Sequence, residues 1–441
     1  MSESLLSVGL DVGTTSTQLV FSRLQIENHA GSFSVPQMEI TEREILYKSP
    51  VHFTPLLRQK MVDAQRLREI VDGEYAAAGI SKAQVDTGAL IITGETSRKE
   101  NARAVLESLC GYAGDFVVAT AGPDLESVLA AKGAGAVDDS AQSGKTILHM
   151  DIGGGTSNLA LIEDGKITAT TCLNVGGRLL KINPDGRITY KSPVLEGIFQ
   201  KKIGEVVNRE EVLELCERLV QALEAAAGLR ETGTLMKTLH TAGADTMWPP
   251  AETIISFSGG VADCIEEEKP WLSFGDMGPL LGQAIRKSRL CQGQYRLGRE
   301  TIRATVIGAG CHSAQLSGST VYYQNIEFPL KNLPVVHAMQ QLQKMDEMAV
   351  LSLPHLEDLS YGALTALAEQ ILRHFRADTL IVAAQQDLAK SLGQCLALRM
   401  GKNAKILCID RILLEEESYL DVGAPVGPAL PVVIKTLILN R

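Results

Sequence analysis

The chain has 441 residues, enough for two to four domains, each with a core of its own. Hydrophobic residues make up 45% and charged residues 21%, an ordinary balance for a water-soluble globular protein. A net charge of −10 argues against a general nucleic-acid or anionic-membrane partner, since neither attracts an acidic surface.

In chain order, the first element is an apolar strand, Leu5–Leu10, followed by Asp11. It turns through Gly13-Thr14-Thr15-Ser16 and returns as a second strand over Thr17–Ser22. Glu44–Val51 supplies a third strand. Leu67, Ile70 and Val71, at helical spacing with charges between them, predict a helix over Met61–Ala78. A second helix is expected over Lys99–Cys110, with strands near Ala89–Thr93 and Phe116–Ala119. The plan then recurs. Thr146–Met150 leads into Asp151, a turn through Gly153-Gly154-Gly155-Thr156-Ser157, and the strands Asn158–Ile162 and Lys166–Asn174. A helix around Val207–Leu229 and a strand over Thr253–Ser258 follow. Gly228–Pro250, rich in Gly, Thr and Pro, reads as loop or loop-flanked helix. From Ser319 onward, a strand over Asp378–Ala384, a helix over Gln386–Met400, and strands over Ala404–Ile409 and Leu430–Leu439 make a βαβ pattern. That pattern fits either a small separate α/β domain or the completion of an earlier lobe.

The recurrence continues beyond the two hairpins. Tyr47-Lys48-Ser49-Pro50-Val51 returns as Tyr190-Lys191-Ser192-Pro193-Val194. Ala89–Gly94 parallels Ile254–Gly259, and Ala131–Gly135 parallels Val306–Gly310. Similar segments in the same order point to a duplicated lobe of mixed sheet flanked by helices.

Each copy ends an apolar strand on a carboxylate, Asp11 or Asp151, beside a turn of Gly and hydroxyl residues. Carboxylates so placed can reach a magnesium ion that keeps most of its waters. Gly13 and Gly153–Gly155 carry no Cβ, so phosphate oxygens can approach backbone N–H groups. Thr14, Thr15, Ser16, Thr156 and Ser157 add hydroxyls. No lysine lies in either loop, which excludes the P-loop pattern, and each glycine turn returns into a strand rather than opening a Rossmann helix. The plain alternative is a pair of β-hairpin turns. Eight scattered cysteines without a CxxC pair, no apolar run of roughly 18 residues and no basic-then-apolar N-terminus predict a cytoplasmic protein without a structural zinc site.

This order of elements resembles the actin, Hsp70 and sugar-kinase superfamily of ATP-binding proteins. The resemblance implies an α/β fold of two RNase H-like lobes, over 1–140 and 141–320, with a further α/β region over 321–441. Gly9–Phe21 and His149–Ile162 would be the phosphate loops, Phe257–Asp263 the adenosine loop, and Leu125–Gly135 and Ala304–Gly310 the helices that cross at a hinge. A narrower likeness spans essentially the whole chain. GLDVGTTSTQLVFS (9–22), IITGETSRKENA (91–102), HMDIGGGTSNLALIEDG (149–165), SFSGGVADCIE (256–266), IRATVIGAGCHSAQLSGST (302–320) and GAPVGPALPVVIKTL (423–437) look like the ethanolamine ammonia-lyase reactivating factor family.

That likeness implies a slow, magnesium-dependent ATPase that opens a damaged lyase so that inactive cobalamin leaves and adenosylcobalamin enters. Asp11 and Asp151 would hold hydrated Mg2+, with Asp151 also near the attacking water. Gly13, Thr14, Thr15, Gly153, Gly154, Gly155 and Thr156 would hold the phosphates of ATP or ADP. Gly259 and Gly260 would flank the adenosine. Glu126, or alternatively Asp124, would position the water. The partner would be the lyase, with adenosylcobalamin reached only through it, and the ethanolamine connection alone suggests a bacterial microcompartment. A small-molecule kinase and an actin-like filament ATPase are the rival readings.

Overall fold

The computed structural model describes residues 3–13, 16–28, 38–57, 61–92, 105, 109, 119–120, 123–247, 249–250, 252–312, 314–317, 320–344, 348–412, 414, 418–425 and 430–436. Strands β1 (Glu3–Val12), β2 (Ser16–Asn28), β3 (Met38–Lys48), β4 (Thr87–Ile92) and β5 (Ala119–Thr120) form sheet I in the order β3-β2-β1-β4-β5. The short strand His52–Phe53 also pairs with β2. The centre of sheet I is covered on both sides, so β4 is buried throughout and reads as an apolar run, whereas the edge strand β3 is charged and mostly exposed. Val8, Leu10, Leu19 and Leu90 pack against Leu67, Val71 and Tyr75 of helix α1 (Ala64–Ala78). On the other face, Leu5, Val20 and Leu24 meet Val306, Ile307 and Cys311.

Helix α1 begins three residues later than its periodicity predicts. Met61–Val62 pairs instead with Leu56–Leu57 in a small hairpin. Asp63 then caps the helix, its side chain accepting from the Arg66 N–H at 3.1 Å. The helix expected over Lys99–Cys110 and the strand expected over Phe116–Ala119 lie largely outside the described residues. Of these, Val105 and Leu109 are buried in the α1 core, and Ala119 belongs to β5.

Sheet II repeats the arrangement. It follows helices α2 (Pro123–Gly133) and α3 (Ala136–Ser143). Its strands are β6 (Ile147–Ile152), β7 (Ser157–Glu163), β8 (Lys166–Leu173), β9 (His240–Gly243), β10 (Ile254–Ser258) and β11 (Tyr295–Leu297), in the order β9-β8-β7-β6-β10-β11. In both sheets an antiparallel meander is followed by parallel addition of later strands to the central one. Met150, Leu159 and Phe257 pack on Leu215 and Leu219 of α4 (Arg209–Ala226) and on Leu281 of α5 (Gly278–Lys287). The capping box of Asn208 and Glu211 fixes the start of α4.

One sequence reading is extended here and another changes. The stretch Gly228–Pro250 holds a helix, Thr234–Leu239, and also the edge strand β9, only four residues long and paired to β8 across a bulge. The Tyr190–Val194 echo does not occupy the place of Tyr47–Val51. Tyr47 and Lys48 end β3 of sheet I, whereas Tyr190 and Lys191 close a separate two-stranded hairpin with Leu180–Ile182. The third strand of sheet II is β8, so the shared pentapeptide marks no shared sheet position.

The helices α2 and α6 (Ala304–His312) cross with their backbones in contact. Each lays its other side on a different sheet. Ala131 of α2 packs on Ile147 and Ala160 of sheet II, while α6 covers sheet I. A Cβ on Gly133 would lie 1.9 Å from the Ala304 carbonyl oxygen, and one on Gly308 1.9 Å from that of Leu129. Only glycine permits so close a crossing.

A third sheet is built from β12 (Ala314–Leu316), β13 (Tyr322–Gln324), β14 (Leu330–Val336), β15 (Val350–Ser352), β16 (Thr379–Ala383), β17 (Lys405–Ile409), β18 (Ser418–Val422) and β19 (Pro431–Thr436). Its order is β12-β19-β18-β14-β15-β16-β17-β13, with β14 to β17 parallel. Helices α7 (Tyr361–His374) and α8 (Ala389–Met400) cover one face through Leu364, Ile371, Leu392 and Leu396. No helix among the described residues is long and apolar enough to cross a membrane.

Candidate functional site

The two Asp-bearing hairpins have the same local geometry. The Gly13 N–H donates to the Ser16 carbonyl at 2.9 Å, and the Gly153 N–H donates to the Thr156 carbonyl at 2.9 Å. Asp11 sits opposite Gln18 in the β1–β2 register, and Asp151 opposite Asn158 in the β6–β7 register. Both turns open on one cleft of about 480 Å³. Its wall contains Asp11, Gly13, Glu126, Asp151, Gly153, Gly154, Gly155, Thr156, Gly259 and Gly260. The structure thus gathers residues that the sequence places more than half the chain apart. Thr14 and Thr15 lie outside the described residues, as does the side chain of Asp124.

The second loop is held from behind. The Gly177 N–H donates to the Gly153 carbonyl at 3.0 Å, and that of Arg178 to the Gly154 carbonyl at 2.7 Å. The N–H groups of Gly154, Gly155 and Thr156 have no acceptor among the described residues. A run of unengaged amides is an anion-binding concavity. Gly259 has φ +88°, and a Cβ there would lie 2.3 Å from the Ile152 carbonyl oxygen. Close packing of the post-β10 turn on β6 therefore requires this glycine.

Asp151 is buried, and its environment was not legible as a motif. Ser258 Oγ donates to Oδ1 at 2.5 Å, and Thr305 Oγ1, at the start of α6, donates to Oδ2 at 3.5 Å. Behind Ser258 lies fully buried His149, with Nε2 2.9 Å from Ser258 Oγ and Nδ1 3.2 Å from Ser256 Oγ. Burial, with a smaller contribution from Arg296, pushes the His149 imidazole down to about 3, so the ring is neutral. Ser258 spends its one proton on Asp151, so His149 Nε2 carries the ring proton and Nδ1 accepts from Ser256. The chain of donors runs one way and ends on the carboxylate. Burial nevertheless raises the Asp151 carboxyl to about 6, against the opposing pull of both hydroxyls.

Other groups complete the wall. Gln18 donates its Nε2–H to the Ile302 carbonyl at 3.1 Å, while its buried Oε1 has no partner among the described residues. Arg178 Nε lies 3.1 Å from Asp276 Oδ2, and the other oxygen of Asp276 accepts the Gly278 N–H at the start of α5. Among the described residues no group of three or more His, Cys, Asp or Glu side chains is placed to hold a metal ion. A divalent ion held by Asp11 and Asp151 would therefore keep most of its waters, and the orphaned Gln18 oxygen could accept from one of them. These donors fit hydrated magnesium.

The family model for the ethanolamine utilisation protein EutA matches residues 3–350 and 338–440. The chain belongs to the EutA family. It is similar to the ethanolamine ammonia-lyase reactivase EutA of Salmonella typhimurium, 38% identical across 98% of each chain. It is likewise similar to that of Escherichia coli, 39% identical across 98% of each chain. Among solved structures, an Aquifex aeolicus Ppx/GppA family member shares 14% identity at a TM-score of 0.42, covering 69% of this chain and 97% of its own. Within the EutA family, then, this chain carries a hairpin pair with one aspartate in each copy.

Proposed function

We propose that this EutA-family chain is an ATP-driven reactivase of ethanolamine ammonia-lyase, with ATP bound as its magnesium complex between sheets I and II. The observation that carries the reading is the pair of equivalent hairpins bringing Asp11 and Asp151 to one cleft. The near full-length similarity to ethanolamine ammonia-lyase reactivases supplies the partner.

Hydrolysis of a phosphoanhydride needs placement and charge compensation more than covalent chemistry from the protein. The amides of Gly154, Gly155 and Thr156 grip phosphate from the second lobe, and Gly13 with Thr14 and Thr15 does so from the first. Bound Mg2+ would neutralise phosphate charge. Asp11 and Asp151 would hold its waters, and the Ser258–His149 chain fixes the second carboxylate. Glu126, on α2 at the cleft wall, orients the attacking water. ATP joins both lobes and ADP grips one less firmly, so turnover shifts an open–closed equilibrium about the α2–α6 crossing. That motion would loosen the lyase, allowing damaged cobalamin out and adenosylcobalamin in. Cytoplasmic residence, with recruitment to a microcompartment alongside the lyase, belongs to the same proposal.

The test mixes the protein with inactivated, cobalamin-loaded lyase, ATP, Mg2+ and adenosylcobalamin. Lyase activity should return with ATP and fail to return without it. Equal recovery with and without ATP would remove the energy-coupling step.

The buried carboxylate adds a pH signature. Asp151 must be ionised to hold a metal complex, and its carboxyl titrates near 6 in the ligand-free protein. Affinity for Mg·ADP should therefore be constant well above pH 6 and fall as pH drops through it. Calorimetric titrations on either side of that value check this, and a flat profile would remove Asp151 from the metal.

A further inference from the structure

We infer that His52 is the first-lobe group that contacts the terminal phosphate and so distinguishes ATP from ADP. The inference rests on the ATP-site reading above. Among the described residues, the first lobe contributes no lysine or arginine to the cleft wall, whereas the second contributes Arg178 and Lys269. Among the described residues, His52 is the one side chain on the first-lobe side of that wall able to carry positive charge. Without it, a triphosphate bridging both lobes would meet described cationic side chains on one side only.

His52 is tied to the phosphate turn. It pairs with Thr17 in the strand that follows the turn. Two residues on, Thr54 Oγ1 donates to the Gly13 carbonyl at 2.8 Å and lies 3.1 Å from Thr17 Oγ1. The ring is also oriented from behind. Its Nε2 lies 2.7 Å from Glu74 Oε1, and Tyr47 Oη donates to Glu74 Oε2 at 2.6 Å. Glu74 is buried on α1 with both oxygens engaged. A carboxylate can only accept, so Nε2 carries a proton and Nδ1 is the nitrogen left for a ligand. In its doubly protonated form the imidazole donates from Nδ1 as well, a charge-assisted bond to a phosphate oxygen. Glu74 serves as the positioning residue, holding the ring against α1 so that its other edge meets the cleft.

The experiment titrates wild-type, His52→Gln, His52→Lys and Glu74→Gln proteins with Mg·ADP and with a magnesium-bound, non-hydrolysable ATP analogue, by calorimetry. His52→Gln should weaken the triphosphate analogue by about tenfold or more, the scale of one lost charged hydrogen bond, and leave ADP within about twofold. His52→Lys should recover part of the difference, and Glu74→Gln should shift the ratio the same way as His52→Gln by a smaller factor. Equal weakening of both nucleotides, or an unchanged ratio in His52→Gln, would overturn the inference while leaving the ATP site in place. Failure of the wild-type protein to bind either nucleotide would sink both.

Discussion

Asp151→Asn protein should fold at least as stably as wild type and yet lose ATP turnover by about 100-fold or more. The two effects separate because the carboxylate is buried at a cost. Its titration is displaced from 3.8 to about 6 by burial. A displacement of that size corresponds to roughly 3 kcal/mol against the folded ionised form at neutral pH. Since the folded value is the higher one, this group favours folding at low pH and loses that contribution as pH rises through about 6. An amide escapes the penalty, and its oxygen still accepts from Ser258. What it lacks is the charge for a metal–phosphate complex, and loss of one preorganised electrostatic group typically costs two to three orders of magnitude. Calorimetric melting without ligand and phosphate release with ATP and Mg2+ measure the pair. Near-normal turnover would mean that Asp151 serves only the fold.

Gly308→Ala should fail in the opposite sense, through structure first. The added methyl would stand 1.9 Å from the Leu129 carbonyl oxygen and 2.6 Å from its carbon. Both obstructing atoms are backbone, so no rotamer change relieves the clash and the two helices must part. Overpacking of this kind costs about 3 kcal/mol or more, or roughly 6–12 °C in melting temperature. Gly133→Ala meets the Ala304 carbonyl in the same way and should behave alike. Gly73→Ala is the control: it lies within α1 with nothing within 4 Å of its new methyl, and should be neutral or mildly stabilising. Equal melting temperatures for all three variants would show that the helices do not cross as closely as described.

The chemistry-bearing turns were legible because each is local. An apolar strand, one carboxylate and a Gly-hydroxyl turn fall within about ten residues, and the duplication supplied a second reading of the same text. Strand and helix positions followed from periodicity, with errors where a neighbour intervened. Met61 and Val62 fit the α1 apolar stripe, but Leu56 and Leu57 claim them as a hairpin. The supports of the site were not legible. Ser258 and Thr305 reach Asp151 from over a hundred residues away, and only tertiary packing brings them there. His149 left a faint mark, an imidazole inside an otherwise apolar strand. Glu74 left none, because on a helix rich in charges nothing singles out the one that turns inward toward Tyr47 and His52.

In the first turn of helix α6 Thr305 touches Asp151, and the helix ends at His312, two positions before Ala314 opens the edge strand β12 of the third sheet. Nine helical residues make a stiff rod about 13 Å long. Tilting it at the Asp151 end must swing the far end in proportion, as a crank turns its shaft. On the ATP-site reading proposed above, movement at Asp151 would reach the edge of the third sheet by way of this helix.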